Sequence, residues 1–101
     1  MLDGVWIGDS VENFETEQLA VAAGWIKGTT LMFRRGEVTV KIPERAPRVA
    51  PYQVIAQRKR TMTVAVIEPQ GEPTVVKFSM DSEDAMRWHL GAGRSAVLRR
   101  Q

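Results

Sequence analysis

The stretch Leu31-Met32-Phe33-Arg34-Arg35-Gly36-Glu37-Val38-Thr39-Val40-Lys41-Ile42 decides the fold. Leu31 and Phe33 share one parity; beyond the charged, glycine-containing turn, Val38, Val40 and Ile42 share another, and polar residues alternate with them. A period of two sends successive side chains to opposite faces of a strand, so the segment reads as an antiparallel hairpin with Arg34-Arg35-Gly36 at its tip.

The same pattern repeats toward the C-terminus. Residues 43–51 hold Pro43, Pro47 and Pro51 and read as a long connection, because proline cannot donate to a ladder. Residues 52–56 and 61–68 then form strands across Gln57-Arg58-Lys59-Arg60, with Tyr52, Val54, Met62, Val64 and Val66 facing inward. Pro69-Gln70-Gly71-Glu72-Pro73 is a turn, after which Val76, Phe78 and Met80 form an inward row. Asp81-Ser82-Glu83-Asp84 ends that strand, Met86, Trp88 and Leu90 make the next row, and Ala96 and Leu98 a last one beyond Gly91-Ala92-Gly93. Toward the N-terminus, residues 2–7 supply a first strand. Leu19, Ala22, Ala23 and Ile26 fall at i, i+3, i+4 and i+7 of a helix over residues 16–27, with Thr16 as N-cap and Gly24 or Gly28 as terminator. The expectation is one all-β domain over residues 1–101: an up-and-down antiparallel barrel or strongly curved sheet of about eight strands, with one short α-helix between strands 1 and 2.

With 101 residues and 44% hydrophobic content, the chain suits a single core. The absence of cysteine excludes disulfides, thiolate metal sites and a cysteine nucleophile. No apolar run approaches the ~20 residues of a membrane-spanning helix, and the start is acidic, so a cytoplasmic protein with no membrane contact is expected. The formal net charge is only +2, but it is unevenly spread. Residues 31–60 carry eight basic residues against Glu37 and Glu44, whereas residues 1–30 carry Lys27 against Asp3, Asp9, Glu12, Glu15 and Glu17.

Gly4-Val5-Trp6 as an opening G-x-W, the hairpin quoted above, Pro51-Tyr52-Gln53-Val54, Met62-Thr63-Val64-Ala65-Val66, and the ending from Met86-Arg87-Trp88 to Val97-Leu98-Arg99-Arg100 together resemble the small bacterial lipocalin-like (calycin) domains, many of them uncharacterised. The resemblance implies that Trp6 packs at a closed barrel end beneath an arginine of the last strand, Arg99 or Arg100. The chain is shorter than true lipocalins and places a helix before its second strand. An eight-stranded barrel is just wide enough to be filled by side chains or to hold one small ligand. The inward aromatic and methionine residues are expected to fill it.

No pattern assigns a reaction, and neither a cofactor nor a metal is implied. His89 is the sole histidine and faces outward by parity, which excludes a two-histidine metal site. Asp81, Glu83 and Asp84 lack calcium-loop spacing and read as a solvated turn. Ser10, Ser79, Ser82 and Ser95 lie outside any nucleophile motif. Arg34 and Arg35, and Arg58, Lys59 and Arg60, form two basic tips suited to phosphates or an acidic partner, although the exposed aromatics that stack nucleic-acid bases are not evident. Met32, Ile55, Ile67 and Val75 are apolar on the outward parity and suit a homodimer or partner interface. Trp25, Tyr52 and Trp88 are the candidates for a barrel-mouth pocket holding a small apolar ligand. The expected function is a non-enzymatic binding or interaction module, with nucleic-acid or acidic-partner binding through the tips as the alternative. An enzyme using a barrel carboxylate ranks last, because the inward positions are apolar.

Overall fold

The computed structural model describes residues 2–101. The elements are β1 (Gly4–Glu12), α1 (Thr16–Lys27), β2 (Thr30–Arg34), β3 (Glu37–Lys41), β4 (Arg48–Arg58), β5 (Thr61–Val66), β6 (Thr74–Met80), β7 (Ala85–Gly91) and β8 (Arg94–Arg100). Every strand pairs antiparallel with the next, and β1 pairs with β8, so the sheet closes into an eight-stranded barrel.

The alternation seen in the sequence sets the wall. Leu31, Phe33, Val38, Met62, Val64, Phe78, Met86 and Leu98 are buried inside, and Thr39, Thr63, Lys77 and Arg87 alternate with inward residues on β3, β5, β6 and β7. Tight turns join the hairpins. At the β2–β3 tip Arg35 and Gly36 both take positive φ, 53° and 80°, the conformation of a two-residue hairpin turn whose twist matches its strands.

One barrel end is shut. The Trp6 indole is fully buried and its Nε1 donates to the Leu2 carbonyl at 2.8 Å. The Arg100 guanidinium lies 4.2 Å from the Trp6 ring centroid, donating from Nε to the Glu83 carbonyl at 2.8 Å and from Nη1 to the Asp3 carbonyl. Gly4 precedes this stack at φ +129°, and a Cβ there would meet Arg100 Nη1 at 2.8 Å, so the glycine of the G-x-W triplet is needed for both backbone and space. Arg99 points away and pairs with Asp9 at 3.2 Å.

Four local features differ from the sequence expectation. First, β1 runs on to Glu12, with an irregular register between Gly8 and Ser10 that lets the strand follow the barrel's curvature. Second, residues 48–51 belong to β4, pairing with β3 from Glu37↔Pro51 to Val40↔Arg48, so the proline-rich connection is shorter than expected. Pro51 is tolerated because it lies one residue outside the first β4–β5 pair, Tyr52↔Val66, where no ladder donor is required. Third, the helix cap position is Glu15, with no side-chain cap bond; Thr16 is already helical, and Gly28 is the C-cap. Fourth, only Ile26 of the helix is fully buried, while Leu19 remains 44% exposed. The helix therefore docks by its last turn instead of along a stripe. That docking is close: Gly8 N donates to Thr29 O at 3.0 Å, and a Cβ on Gly8 would stand 1.8 Å from the Ile26 carbonyl oxygen.

Candidate functional site

The barrel interior is not filled from end to end. Toward the closed end lie Trp6, Met86, Leu98 and Leu2. Toward the end that carries α1, the inward residues of β3, β5 and β6 are Val40, Val66, Thr74 and Val76, all β-branched and short. They leave a recess of about 170 Å³ with Phe33, Phe78 and Trp88 among its lining and Glu68 and Thr74 as its polar groups. This corrects the expectation of a filled interior. Trp6, Met86 and Leu98 fill the closed end, while toward the other the valines are too short to reach across to the rings of Phe33, Phe78 and Trp88.

The mouth has its own polar arrangement. Thr74 Oγ1 donates to Glu68 Oε1 at 2.8 Å, and Arg48 Nη2 meets Glu68 Oε2 at 3.4 Å. Val38, Val40, Val66 and Glu68 also line an adjoining hollow of about 340 Å³ whose remaining wall includes Ile42, Arg45 and Arg48. An apolar chamber thus opens into a space bordered by two arginines and one carboxylate. Glu68 was missed as a site residue. Its signal was its parity with Met62, Val64 and Val66, which continues the inward row past the end of β5.

Of the three aromatic residues expected at a barrel mouth, two come together: the Trp25 ring of α1 lies 5.9 Å from that of Trp88. Tyr52 does not join them. It packs edge-on against Phe33 at 5.1 Å and bonds the Asp3 carboxylate near the closed end. Burial first, and the Asp3 charge second, push its phenol above the ordinary tyrosine value. Although Tyr52 pairs with Val66 in β5, its N donates to Gly36 O at 3.0 Å on the other side, which sets the residue beside the β2–β3 tip. Phe33, Phe78 and Trp88 continue the ring contacts from Tyr52 toward Trp25, at 5.9 Å and 6.3 Å.

The proposed interface residues do not form one patch. Ile67 and Val75 lie near the ends of β5 and β6, and Ile55 sits at the irregularity of β4. Met32, half-buried between Val5 and Thr39, belongs to the opposite wall. Val54, inward by parity, is 43% exposed because no residue of β3 extends beside it. Both basic tips lie at the closed end of the barrel, exposed to solvent.

His89 faces outward, and its Nε2 lies 2.7 Å from Ser79 Oγ, which in turn is 3.2 Å from Thr61 Oγ1. The pairing follows from the Lys77↔His89 and Ser79↔Arg87 register, which sequence spacing did not reveal. It is a chain of hydroxyls and an imidazole across a convex sheet face. Among the described residues no group of three or more metal-ligating side chains converges, and no helix is long and apolar enough to cross a membrane.

The eight-stranded antiparallel barrel is consistent with a calycin-like architecture. No protein-family model matches the chain, and comparisons with curated proteins and with solved structures give no match.

Proposed function

We propose that the protein is a non-catalytic binding module that holds one small, largely apolar molecule in the open end of its barrel. The observation that supports this reading is the recess of about 170 Å³ walled by valines and aromatic rings. Apolar chambers of roughly 150 Å³ hold a benzene-sized guest, so the recess suits a single ring or a short aliphatic chain. Arg45 and Arg48 border the adjoining hollow, favouring a guest whose outer end is anionic or rich in hydrogen-bond acceptors. Glu68 already engages Arg48 and Thr74 and would release part of that contact to such a group.

Native mass spectrometry of freshly purified protein, followed by titration with phenylacetate and hexanoate monitored by tryptophan fluorescence, tests the proposal. Retained small-molecule mass, or saturable quenching through Trp88 and Trp25, is the expected result. A bare mass together with no saturation by either acid up to their solubility would overturn it.

A further inference from the structure

Beside the β4–β5 tip, the outer face of the barrel gathers cations and hydroxyls. The ladder sets Arg58 beside Thr61 and Thr61 beside Ser79; two residues further from the tip, it sets Ala56 beside Thr63 and Thr63 beside Lys77. Thr61 and Thr63 alternate with buried Met62 and Val64, and Lys77 and Ser79 flank buried Phe78, so all four turn outward. Ala56, just past the irregular register of β4, offers only a methyl among these longer side chains. An open hollow of about 540 Å³ results, lined by Ala56, Arg58, Lys59, Thr61, Thr63 and Lys77.

Three positive charges and no carboxylate border this space. Among the described residues, Arg58, Lys59 and Lys77 make no ion pair, and the Thr63 hydroxyl is not engaged by another side chain. Thr61 Oγ1 lies 3.2 Å from Ser79 Oγ, which lies 2.7 Å from His89 Nε2. When Nε2 carries its proton, His89 donates to Ser79 and Ser79 to Thr61, which leaves the Thr61 O–H for a guest. The cations around the hollow are already occupied. Arg60 donates to the Asp81 carbonyl at 3.4 Å, and Arg87 holds Glu12 at 3.3 Å and Asp81 at 3.4 Å. Arg34 and Arg35 stand at the β2–β3 tip beside Tyr52, six residues back along β4 and so roughly 20 Å from Arg58. The three unengaged cations therefore converge on one spot and do not continue as a track for a polynucleotide backbone. No aromatic ring lines the hollow to stack a base. Ammonium and guanidinium donors combined with two hydroxyls suit one compact anion carrying two or more negative charges. We propose that this hollow binds the phosphoryl group of a small molecule, as a phosphate monoester or a diphosphate. The site lies outside the barrel, so this assignment and that of the recess stand independently.

The test titrates the full, isotope-labelled chain with pyrophosphate and with methyl phosphate at fixed ionic strength, and follows amide chemical shifts. Saturable changes centred on residues 58–63 and Lys77 are expected. In R58M/K77M, checked for native circular dichroism, the dissociation constant should rise at least about tenfold, the factor that a hydrogen bond to a charged group contributes. R34M/R35M removes the same charge from the other tip and should leave the affinity within about twofold, because salt screens charges at that distance. Thr63→Val, which keeps charge and shape, should weaken binding about fivefold. Equal weakening in R34M/R35M and R58M/K77M would reduce the binding to net charge and overturn the proposal. So would oligothymidine binding more tightly than pyrophosphate with shifts that reach residues 34–35, or no saturation by either small phosphate.

Discussion

Replacing Val76 with Phe separates an open recess from a packed interior. Val76 is half-buried, pairs with Val64 in β5 and lines the recess. A cavity of roughly 150 Å³ takes benzene, which sets about 25 Å³ per carbon; the four carbons that Phe adds therefore need about 100 Å³. The recess offers about 170 Å³. At ~0.8 kcal/mol per buried methylene the added carbons are worth at most about 3 kcal/mol. The wet rim and the ordering of a larger side chain reduce this to about 1 kcal/mol of net stabilisation. For a domain of this size that raises Tm by roughly 4–8 °C, readable by thermal or urea melts. The same ring should also abolish quenching by phenylacetate, since it occupies the guest's place. A packed interior gives the opposite sign, because overpacking costs about 1–3 kcal/mol. A lowered Tm in V76F would therefore refute both the recess and the ligand reading built on it.

Three further outcomes follow from the geometry. Gly8→Ala should destabilise by about 3 kcal/mol in urea melts, because its Cβ displaces the Ile26 carbonyl, breaks the Gly8–Thr29 bond and exposes part of Ile26; a change under about 0.5 kcal/mol would mean that the helix is not docked there. Arg100→Met should cost about 2 kcal/mol through loss of the Trp6 stack and the carbonyl bonds, whereas Arg99→Met, losing only an exposed pair with Asp9, should cost less than about 0.5 kcal/mol in the same melts. Tyr52 is the only tyrosine, so tyrosinate absorbance reports it alone. Its raised folded-state pKa favours the native state while the phenol is protonated, and that contribution is lost as pH climbs from the unfolded value through the folded one. Asp3→Asn should lower the absorbance midpoint, and an unchanged midpoint would remove Asp3 from the account.

The legibility of this chain follows where its constraints are local. The hairpin from Leu31 through Ile42 was readable because apolar alternation and a charged turn agree residue by residue. Trp6 beneath an arginine was legible from the G-x-W triplet only through family resemblance, and the choice of Arg100 over Arg99 required the strand's parity against β1, where Trp6 faces Arg100. What could not be read depends on where strands stop. Tyr52 and Val54 share a parity with the core, yet the Tyr52 ring turns to Phe33 and Asp3 and Val54 is 43% exposed, because β3 pairs with β4 only as far as Glu37↔Pro51 while β4 continues to Arg58. Parity assigns a face; only register assigns a height along the barrel. The recess has the same origin, since its walls are valines whose inward orientation was legible, while their common height near one end was not. The recess is thus a product of strand offset: small inward residues aligned at one rim open the interior there, while the bulkier Trp6, Met86 and Leu98 fill the other.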